Sequence, residues 1–317
     1  MLYNEVRPVT IEDVIGNTSA VETIKELFAG GPKDAPRVFL FHGPTGTGKT
    51  TLARIIGNEY LNVREMDLLE VNAAEARGID VARALIGQSR HSPLNGDYRL
   101  IVLDEAHQLT SQAQQSLLKA VEDTEAHSFW IFCTTEPQGL TPTLRNRCVA
   151  IQTRPLRGAA MMELLVSASS YLSDDGVAVD TLKAVQDAAE GCPRQALVML
   201  EKVAFVNDLE RVKEILADEL GGDGLSASTL DLCRHLVSND RHKWGEAAGL
   251  LGELSDEPEK VRVSLSNYLR GALLRENSLD RCDLFSEMIR RLSQPMYSGS
   301  AKADLASAVF DCSQYAD

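Results

Sequence analysis

The sequence lacks a long apolar run and any closely spaced pair of cysteines. No stretch approaches the roughly eighteen apolar residues that a membrane-spanning helix needs. The first ten residues, "MLYNEVRPVT", have no basic flank before an apolar core, so we expect no signal peptide. No C-x-x-C pair occurs among the cysteines, which are Cys133, Cys148, Cys192, Cys233, Cys282 and Cys312. This pattern is typical of free thiols in a reducing compartment. We therefore predict a cytoplasmic protein, or one in the host cytoplasm if its source is viral.

Positive charge is also scarce. The chain has 32 lysines and arginines against 46 aspartates and glutamates, which gives a formal net charge of −14. Phosphate repels a net anion, so this balance argues against a protein that coats nucleic acid nonspecifically. Any nucleic-acid contact must therefore depend on individually placed arginines.

What is present is the composition of a globular protein. Hydrophobic residues make up 44% and charged residues 25% of the chain, close to ordinary usage, so disorder is not expected. The length of 317 residues predicts roughly two or three domains.

The first half alternates strand-like and helix-like segments. The predicted strands are "RVFLFHG" (37–43), "DLLEV" (67–71), "YRLIVLDEA" (98–106), "HSFWIFCTT" (127–135) and "CVAIQT" (148–153). Segments with helical spacing lie between them, and this alternation predicts an α/β domain with a parallel sheet over residues 1–155.

The pattern changes after residue 155. Residues 156–205 read as three amphipathic helices, the last beginning near "CPRQALVMLEKV", and a further helix follows. "GGDGLSAS" (221–228) is glycine-rich and polar, which is typical of a linker. We therefore predict a small helical domain over 156–220 and an all-α domain over 221–317.

The segment "GPTGTGKT" (43–50) fits G-x-x-x-x-G-K-[ST] and stands between a predicted strand and a predicted helix, the context that supports a phosphate-binding loop. Its backbone N–H groups would surround the β-phosphate of ATP. Lys49 would bridge the β- and γ-phosphates, and the Thr50 hydroxyl would bind Mg²⁺. The predicted nucleotide-binding residues of this segment are Gly43, Thr45, Gly46, Thr47, Gly48, Lys49, Thr50 and Thr51.

A second acidic motif, "LIVLDEAH" (100–107), complements the loop. The buried strand would bring Asp104 to its C-terminal end, where a carboxylate can hold Mg²⁺. Glu105 would orient and deprotonate the water that attacks the γ-phosphate. "DEAH" also occurs as a helicase box, but that class needs two motor domains and this sequence contains one. In "CTTEP" (133–137), Thr135 is a candidate partner of the γ-phosphate or the water, and an ordinary strand-end threonine is the alternative.

These motifs occur in the order found in AAA+ clamp-loader ATPases. The further matching segments are "VRPVTIEDVIGN", "VNAAEARGIDVARAL", "VLDEAHQLTSQAQQSLLKAVED", "FCTTEP" and "RNRCVAIQ". The sequence resembles the bacterial DNA polymerase III gamma/tau subunit and replication factor C small subunits, and its compact length also resembles a bacteriophage clamp loader. The match covers most of residues 3–155 and continues weakly through "AEGCPRQAL". It implies an AAA+ P-loop sheet domain, a helical lid over 156–220 and a helical collar over 221–317.

The resemblance also assigns roles to residues outside the phosphate-binding loop. Thr135 takes the sensor-1 position, and Arg194 in "GCPRQAL" takes the sensor-2 position, reaching the γ-phosphate from the lid. Gamma/tau subunits carry a cysteine-rich zinc module between their two ATPase motifs. Residues 51–103 contain no cysteine, so we expect no structural zinc here. The residues implied to pack on adenine are Val6, Pro8, Val14 and Ile15.

Arg147 in "RNRC" takes the place of the arginine in the family's Ser-Arg-Cys motif, which acts on ATP bound by the neighbouring subunit. An arginine supplied in trans stabilises charge on the transferring phosphoryl group and can raise the rate by ~10³–10⁵. A surface arginine paired with an acid is the alternative. Here the sequence departs from the family, since Asn146 replaces the usual serine and Arg145 is an additional cation.

In the family, the stretch corresponding to "EARGIDVAR" faces DNA, so the resemblance implies that Arg77 and Arg83 touch phosphates. Such contacts position a duplex without reading its sequence. A solvated helix face is the alternative. Lys119 is a further candidate for the same surface.

Taken together, the motifs and the resemblance predict an ATPase subunit of a sliding-clamp loader that uses ATP and Mg²⁺. Its expected partners are other loader subunits in a pentamer, a sliding clamp and primer–template DNA, with no membrane. ATP binding would open the clamp and grip the DNA, and hydrolysis would release the clamp. Two alternatives remain open: another AAA+ DNA enzyme, such as a branch-migration motor or helicase loader, and a structural arm that does not hydrolyse ATP.

Overall fold

The computed structural model describes residues 1–172, 176–206, 208–220, 227–237, 244–252, 254, 257–276, 278–293 and 301–314. The chain forms two compact units, Met1–Val212 and Lys213–Asp317. No helix of the described residues is long and apolar enough to cross a membrane.

The first unit is built on a five-stranded parallel sheet. Its strands are β1 (Val38–His42), β2 (Leu68–Asn72), β3 (Arg99–Asp104), β4 (Ser128–Thr134) and β5 (Val149–Gln152). The spatial order is β2-β3-β4-β1-β5, and each neighbouring pair is parallel. This sheet confirms the predicted α/β fold class, and each of the five predicted strands forms where the sequence placed it. The order sets the carboxyl end of β1 beside β4, and that of β4 beside β3.

The helices of this unit connect the strands and then continue beyond the sheet. They are α1 (Leu2–Glu5), α2 (Thr18–Leu27), α3 (Lys49–Ile55), α4 (Ile79–Ser89), α5 (Ser111–Glu122), α6 (Pro142–Arg145), α7 (Ala159–Ser169), α8 (Val179–Ala188) and α9 (Pro193–Val203), followed by the first residues of α10 (Leu209–Leu220). The Thr110 hydroxyl caps α5 by accepting a hydrogen bond from the Ala113 N–H at 3.3 Å. The boundary between the two units falls within α10.

Alternating side chains of the strands fill a core on each face of the sheet. Phe39 and Phe41 of β1 pack on the face that holds α2 and α3, whereas Val38 and Leu40 pack on the face that holds α4 and α5. β4 is buried along its whole length, as a central parallel strand should be. The unbroken apolar runs in the sequence are therefore a consequence of burial on both faces.

A buried ion pair holds the segment before β3. Asp67 is 0% exposed and Arg99 is 7% exposed, and their side chains meet at 3.0 Å. Asp67 also accepts hydrogen bonds from the N–H groups of Leu94 and Asn95, at 2.8 and 2.9 Å. Arg99 donates to backbone carbonyls of the turn after α4, including that of His91 at 3.1 Å. The pair thereby fastens the connection between α4 and β3 to the start of β2.

Helices α7, α8 and α9 pack on one another, and each buries an apolar face; examples are Leu165, Leu182 and Leu200. These are the three helices that the sequence predicted over 156–205. The second unit, taken alone, contains α11 (Ala227–Val237), α12 (Trp244–Gly252), α13 (Pro258–Arg275), α14 (Leu279–Arg291) and α15 (Ala301–Gln314) around a shared apolar core. Most of the predicted linker, residues 221–226, lies outside the described residues. The division into domains at 155/156 and 220/221 stays a prediction.

Candidate nucleotide site

The phosphate-binding loop connects β1 to α3 in a backbone shape that requires glycine. Gly43, Gly46 and Gly48 have φ of +150°, +67° and +99°, a region that other residues enter at a cost. A Cβ at Gly43 would overlap the Thr153 carbonyl, and one at Gly46 would overlap the Cys192 Sγ. At Gly48 the same position is open space. The predicted loop therefore has the cradle that a phosphate needs beside a helix N-terminus.

Lys49 begins α3 and is buried beneath the loop. Its Nζ donates hydrogen bonds to the carbonyls of Gly43 and Pro44, both at 2.9 Å. Burial lowers the pKa of Lys49, while the nearby Glu105 carboxylate raises it. The ammonium is thus held at the loop by backbone carbonyls, with no carboxylate of the described residues bonded to it, which suits it to receive a phosphate oxygen.

Thr50 and Asp104 meet as the sequence predicted. The Thr50 hydroxyl donates to Asp104 Oδ2 at 2.7 Å, which joins the first turn of α3 to the end of β3. A hydroxyl and a carboxylate are hard oxygen ligands of the kind that Mg²⁺ prefers. The donor set therefore fits a magnesium ion bound with nucleotide phosphates, and these two residues would hold it.

Glu105 follows Asp104 in a left-handed turn with φ of +49°. The Glu105 N–H donates a hydrogen bond to Asp104 Oδ1 at 2.9 Å, and this bond stabilises the turn. The Glu105 side chain lines the nucleotide cavity and also reaches the His107 ring, with Oε2 3.5 Å from Nδ1. The sequence identified Glu105 but gave no role to His107.

The loop opens into a cavity of about 610 Å³. Val6, Pro8, Val14 and Ile15 all line it, so the structure brings the four predicted adenine-packing residues together. Their apolar surfaces can cover a base, while the loop beside them holds the phosphates.

Arg7, to which the sequence motifs assigned no role, lies in the same cavity between two of the adenine-packing residues. Its Nε donates to the Thr51 hydroxyl at 3.1 Å. Burial lowers the pKa of Arg7, and repulsion from Arg54 lowers it further. An anion bound in the cavity would relieve that repulsion. Its position between Val6 and Pro8, inside the predicted adenine segment, was the signal available in the sequence.

Arg194 lies where the resemblance implied, at the first turn of α9 and on the wall of the cavity. Its Cβ would be 3.2 Å from a Cβ at Gly46, so the start of α9 is against the phosphate-binding loop. The neighbouring Cys192 thiol donates to the Thr45 carbonyl at 3.6 Å. The third helix after the sheet is therefore placed to bring a cation to the phosphates.

The strand exit at residues 153–156 is enclosed by glycines from three parts of the chain. A Cβ at Gly43 would overlap Thr153, and one at Gly16 would overlap the Leu156 side chain. A Cβ at Gly191 would come within 2.8 Å of both Pro155 and Leu156. We call residues 153–156 the hinge.

Asn17 closes the same region. Its side-chain oxygen accepts from the Arg154 N–H at 2.7 Å, and its amide nitrogen donates to the carbonyls of Arg154 and Thr47, at 3.2 and 3.4 Å. A 2.7 Å contact between the hydroxyls of Thr47 and Thr153 runs alongside. The N-terminal segment, the phosphate-binding loop and the hinge thus share one hydrogen-bonded junction.

Thr135 is half-buried and immediately follows β4. It is Thr134, the last residue of β4, that makes the specific contacts: its hydroxyl lies 3.0 Å from His107 Nδ1 and accepts from the Glu136 N–H at 3.0 Å. The sensor assignment of Thr135 stays a prediction.

Arg147 lies between α6 and β5, outside the set of described residues that line the nucleotide cavity. One guanidinium nitrogen donates to the Thr143 carbonyl at 2.8 Å, and the other pairs with Glu122 at the end of α5. The Arg147 side chain remains 32% exposed. It is thus paired with an acid, as in the alternative interpretation, and is still accessible to a neighbour. The adjacent Arg145 has a buried Nε without a hydrogen-bond partner in the described part of the chain.

The turn that leads to Arg147 is tied to α5 by Gln114, a residue without a role in the sequence analysis. The Gln114 amide donates to the Leu109 and Gly139 carbonyls, each at 3.1 Å, and accepts from the Thr141 N–H at 2.7 Å. These contacts fix the segment after β4 relative to the segment after β3.

The predicted DNA-contact residues lie on a neighbouring surface. Arg83, on α4, is 67% exposed and only loosely paired with Asp80 at 3.8 Å. Arg77 is exposed in the turn before α4, and its carbonyl accepts the Thr110 N–H at 3.1 Å. Lys119 is exposed on α5, which packs beside α4. Their contact with DNA stays a prediction.

Comparisons with known proteins agree with this geometry. The model of the family described as "ATPase family associated with various cellular activities (AAA)" matches residues 39–156. DNA polymerase III subunit tau of Bacillus subtilis strain 168 is 28% identical over 300 residues, 86% of this chain and 51% of that protein. The chain thus spans about half the length of that relative.

Replication factor C small subunit of Natronomonas pharaonis is 32% identical over 243 residues, which cover 70% of this chain and 72% of that protein. Among solved structures, the RuvB Holliday junction branch migration motor of Thermotoga maritima superposes with a TM-score of 0.59 at 19% identity, covering 86% of this chain and 93% of that chain. An identity that low shows a shared fold alone. With its parallel sheet, its phosphate-binding loop and these relatives, the chain belongs to the AAA+ clamp-loader ATPase family.

Proposed function

We propose that this chain is an ATPase subunit of a DNA polymerase sliding-clamp loader. The observation that carries the proposal is the separation between the nucleotide cavity and Arg147. Lys49, Thr50, Asp104 and Glu105 surround one cavity, whereas Arg147 is held outside it on an exposed turn. An arginine in that position serves a second copy or a related subunit, so the active unit is an assembly.

Each residue of the cavity has a part in this proposal. Lys49 binds the β- and γ-phosphates, and Thr50 and Asp104 hold the magnesium ion, which neutralises phosphate charge when bound. Glu105 accepts a proton from the attacking water. Arg194 contacts the γ-phosphate from the lid, and Thr135 orients the water from the end of β4.

Arg147 completes the site of the neighbouring subunit by stabilising charge on the transferring phosphoryl group. Its pairing with Glu122 keeps the guanidinium ordered until a neighbour's phosphate is available. Hydrolysis then depends on correct assembly, which we propose to be a pentamer of this and other loader subunits.

The assembly would act on a sliding clamp and on primer–template DNA. Arg77, in the turn before α4, and Arg83, on α4, contact DNA phosphates, which allows a chain of net charge −14 to bind DNA locally. ATP binding favours the arrangement that opens the clamp and grips the DNA, and hydrolysis releases the clamp. Such coupling requires that DNA and clamp bind the ATP-bound arrangement more tightly.

Mixing two inactive variants tests the action of Arg147 in trans. Lys49→Ala removes the phosphate contact of a subunit's own site, and Arg147→Ala removes the contribution to the neighbour. Each variant alone should lose hydrolysis, and an equimolar mixture should regain it at roughly a quarter of the interfaces of a head-to-tail ring. A mixture as inactive as its components would contradict action in trans.

The clamp-loader assignment itself is tested by ATPase measurements on the complete assembly with and without clamp and primed DNA. The expected result is stimulation by both ligands together, reduced in Arg77→Ala/Arg83→Ala. An ATPase indifferent to clamp and DNA would contradict the assignment. Six identical copies in native mass spectrometry would favour a branch-migration motor instead.

A further inference from the structure

We infer that His107 is a positioning residue that holds the Glu105 carboxylate at the mouth of the nucleotide site. This inference rests on the proposed function, because it takes Glu105 to be the group that activates water. His107 is the last residue of the acidic motif, two positions after Glu105, and its side chain is 11% exposed. It contacts neither the phosphate-binding loop nor the metal-binding pair in the described geometry, so its effect must pass through Glu105.

The His107 side chain is held at two points, the ring nitrogen Nδ1 and the Cβ. Its Nδ1 lies 3.0 Å from the hydroxyl of Thr134, which is completely buried at the end of β4. On the other side is the turn Pro137–Gly139, where a Cβ on Gly139 would stand 2.8 Å from the His107 Cβ. The Thr134 contact orients the ring through Nδ1, and Glu105 Oε2 lies 3.5 Å from the same atom.

The contacts of Nδ1 favour a proton on that atom. The Thr134 oxygen already accepts the Glu136 N–H at 3.0 Å and retains one further lone pair. A proton on Nδ1 would be donated to that lone pair and would also attract the nearby Glu105 carboxylate, whereas a bare Nδ1 would turn its own lone pair toward the anion. The carboxylate therefore selects the Nδ1–H tautomer, as partners of histidine commonly do.

A second attraction acts on the same carboxylate. Glu105 is the charge that most strongly raises the pKa of Lys49, so the two side chains attract each other across the cavity. A carboxylate drawn onto Lys49 would occupy the ammonium that a phosphate needs and would leave the water unactivated. The His107 N–H opposes this movement and keeps the base near the end of β4.

The turn at Glu105 adds to the argument. A φ of +49° is uncommon for a residue with a side chain and is maintained only where its surroundings enforce it. The turn directs the Glu105 carboxylate toward the cavity, and the His107 ring determines the position of the carboxylate oxygen atoms. Backbone and ring thus fix the two ends of one side chain.

The test uses two replacements in the full-length protein within its assembly. His107→Asn keeps a polar group near the position of Nδ1, whereas His107→Phe fills the space without one. Since general bases contribute about 10²–10⁴ in rate, loss of the anchor in His107→Phe should lower the single-turnover rate of ATP hydrolysis by about 10–100-fold. His107→Asn should stay within about threefold of the wild type, since the polar contact is retained. The Kd for ATP should change little in either variant.

Glu105→Gln serves to separate this inference from the proposed function. Normal hydrolysis in Glu105→Gln would refute the assignment of Glu105 as the base, and the positioning inference with it. Inactive Glu105→Gln beside fully active His107→Phe would refute the positioning inference alone.

A double variant supplies the remaining readout. If His107 acts through Glu105, adding His107→Phe to Glu105→Gln should cause no further loss of rate. Independent, multiplying losses would overturn the inference. Equal impairment of His107→Asn and His107→Phe, with equally lowered melting temperatures, would assign His107 a purely structural part and overturn it as well.

Discussion

Replacing Asp67 with alanine should destabilise the first unit by about 3–5 kcal/mol, the usual cost of leaving one partner of a buried ion pair alone. The structure supports a value in this range. Asp67 accepts three hydrogen bonds, two from the backbone N–H groups of Leu94 and Asn95 and one from Arg99. Backbone donors contribute about 0.5–1.5 kcal/mol each and a charged donor about 1.5–3 kcal/mol, so the three losses together agree with the range for the pair.

The assay is urea unfolding followed by the fluorescence of Trp130, which is completely buried in β4. The chain contains two tryptophans, so Trp244→Phe provides a background in which only the first unit reports. The matched control is Glu70→Ala, which removes an arginine–carboxylate pair whose carboxylate lies on β2, three residues after Asp67. Its partners Arg54 and Glu70 are 41% and 28% exposed, so the control should cost at most about 1 kcal/mol. Equal losses in the two variants would refute the reasoning.

The pH dependence of the free energy of unfolding gives a second test of the Asp67 ion pair. Burial alone would raise the pKa of Asp67, but hydrogen bonds from Leu94 and Asn95 and the Arg99 charge lower it overall. A carboxylate whose pKa is lowered by folding stabilises the protein above its unfolded pKa, about 3.9, and loses that contribution as the pH falls through the folded value. The stability gap between wild type and Asp67→Asn should therefore be constant near neutral pH and shrink below about pH 4. A gap that widens on acidification would contradict this assignment.

Two further predictions concern the nucleotide site and the thiols. Gly46→Ala should weaken ATP binding about tenfold or more, because a residue with a Cβ pays about 1–2 kcal/mol to adopt left-handed backbone. The added methyl group would also overlap Cys192. Titration calorimetry with ATP measures the loss, and Gly87→Ala, whose surroundings are open, is the control that should bind ATP normally. Iodoacetamide at pH 8 should modify Cys192 and Cys282 first, which peptide mass spectrometry can rank. Burial raises the pKa of each of the other thiols, to about 12 for three of them and well above its ordinary value for the fourth, and so leaves little reactive thiolate; they are Cys148, Cys233, Cys312 and Cys133. Early loss of the Cys133 thiol would contradict that ranking.

Much of the fold could be predicted because its signals are local. Each strand of the parallel sheet is an apolar run that ends near a glycine or a polar residue, and the phosphate-binding loop has a fixed spacing. Thr50 and Asp104 could be paired in advance because both belong to motifs whose geometry follows from strand and helix ends. The three helices after the hinge could be predicted from the spacing of their apolar residues alone.

The unpredicted contacts join residues far apart in the sequence that share no motif. Asp67, before β2, meets Arg99 at the start of β3, and His107, after β3, meets Thr134 at the end of β4. Such contacts depend on strand order, which puts β3 beside both β2 and β4. Composition and spacing do not encode that order. Arg7 was missed for a different reason, since the adenine segment was interpreted through its apolar residues only.

The hinge has a consequence for how this protein can be divided. Residues 153–156 form a close-packed seam with the N-terminal segment, the phosphate-binding loop and the start of α9. A Cβ at Gly43 or Gly191 would overlap the backbone of Thr153 or Leu156, and one at Gly16 would press on the Leu156 side chain. A cut at the predicted boundary after residue 155 would open that seam and expose the Leu156 contact and the Asn17 junction together. The sheet and helices α7, α8 and α9 therefore belong to one folding unit. A fragment meant to carry the ATPase site should extend through α9.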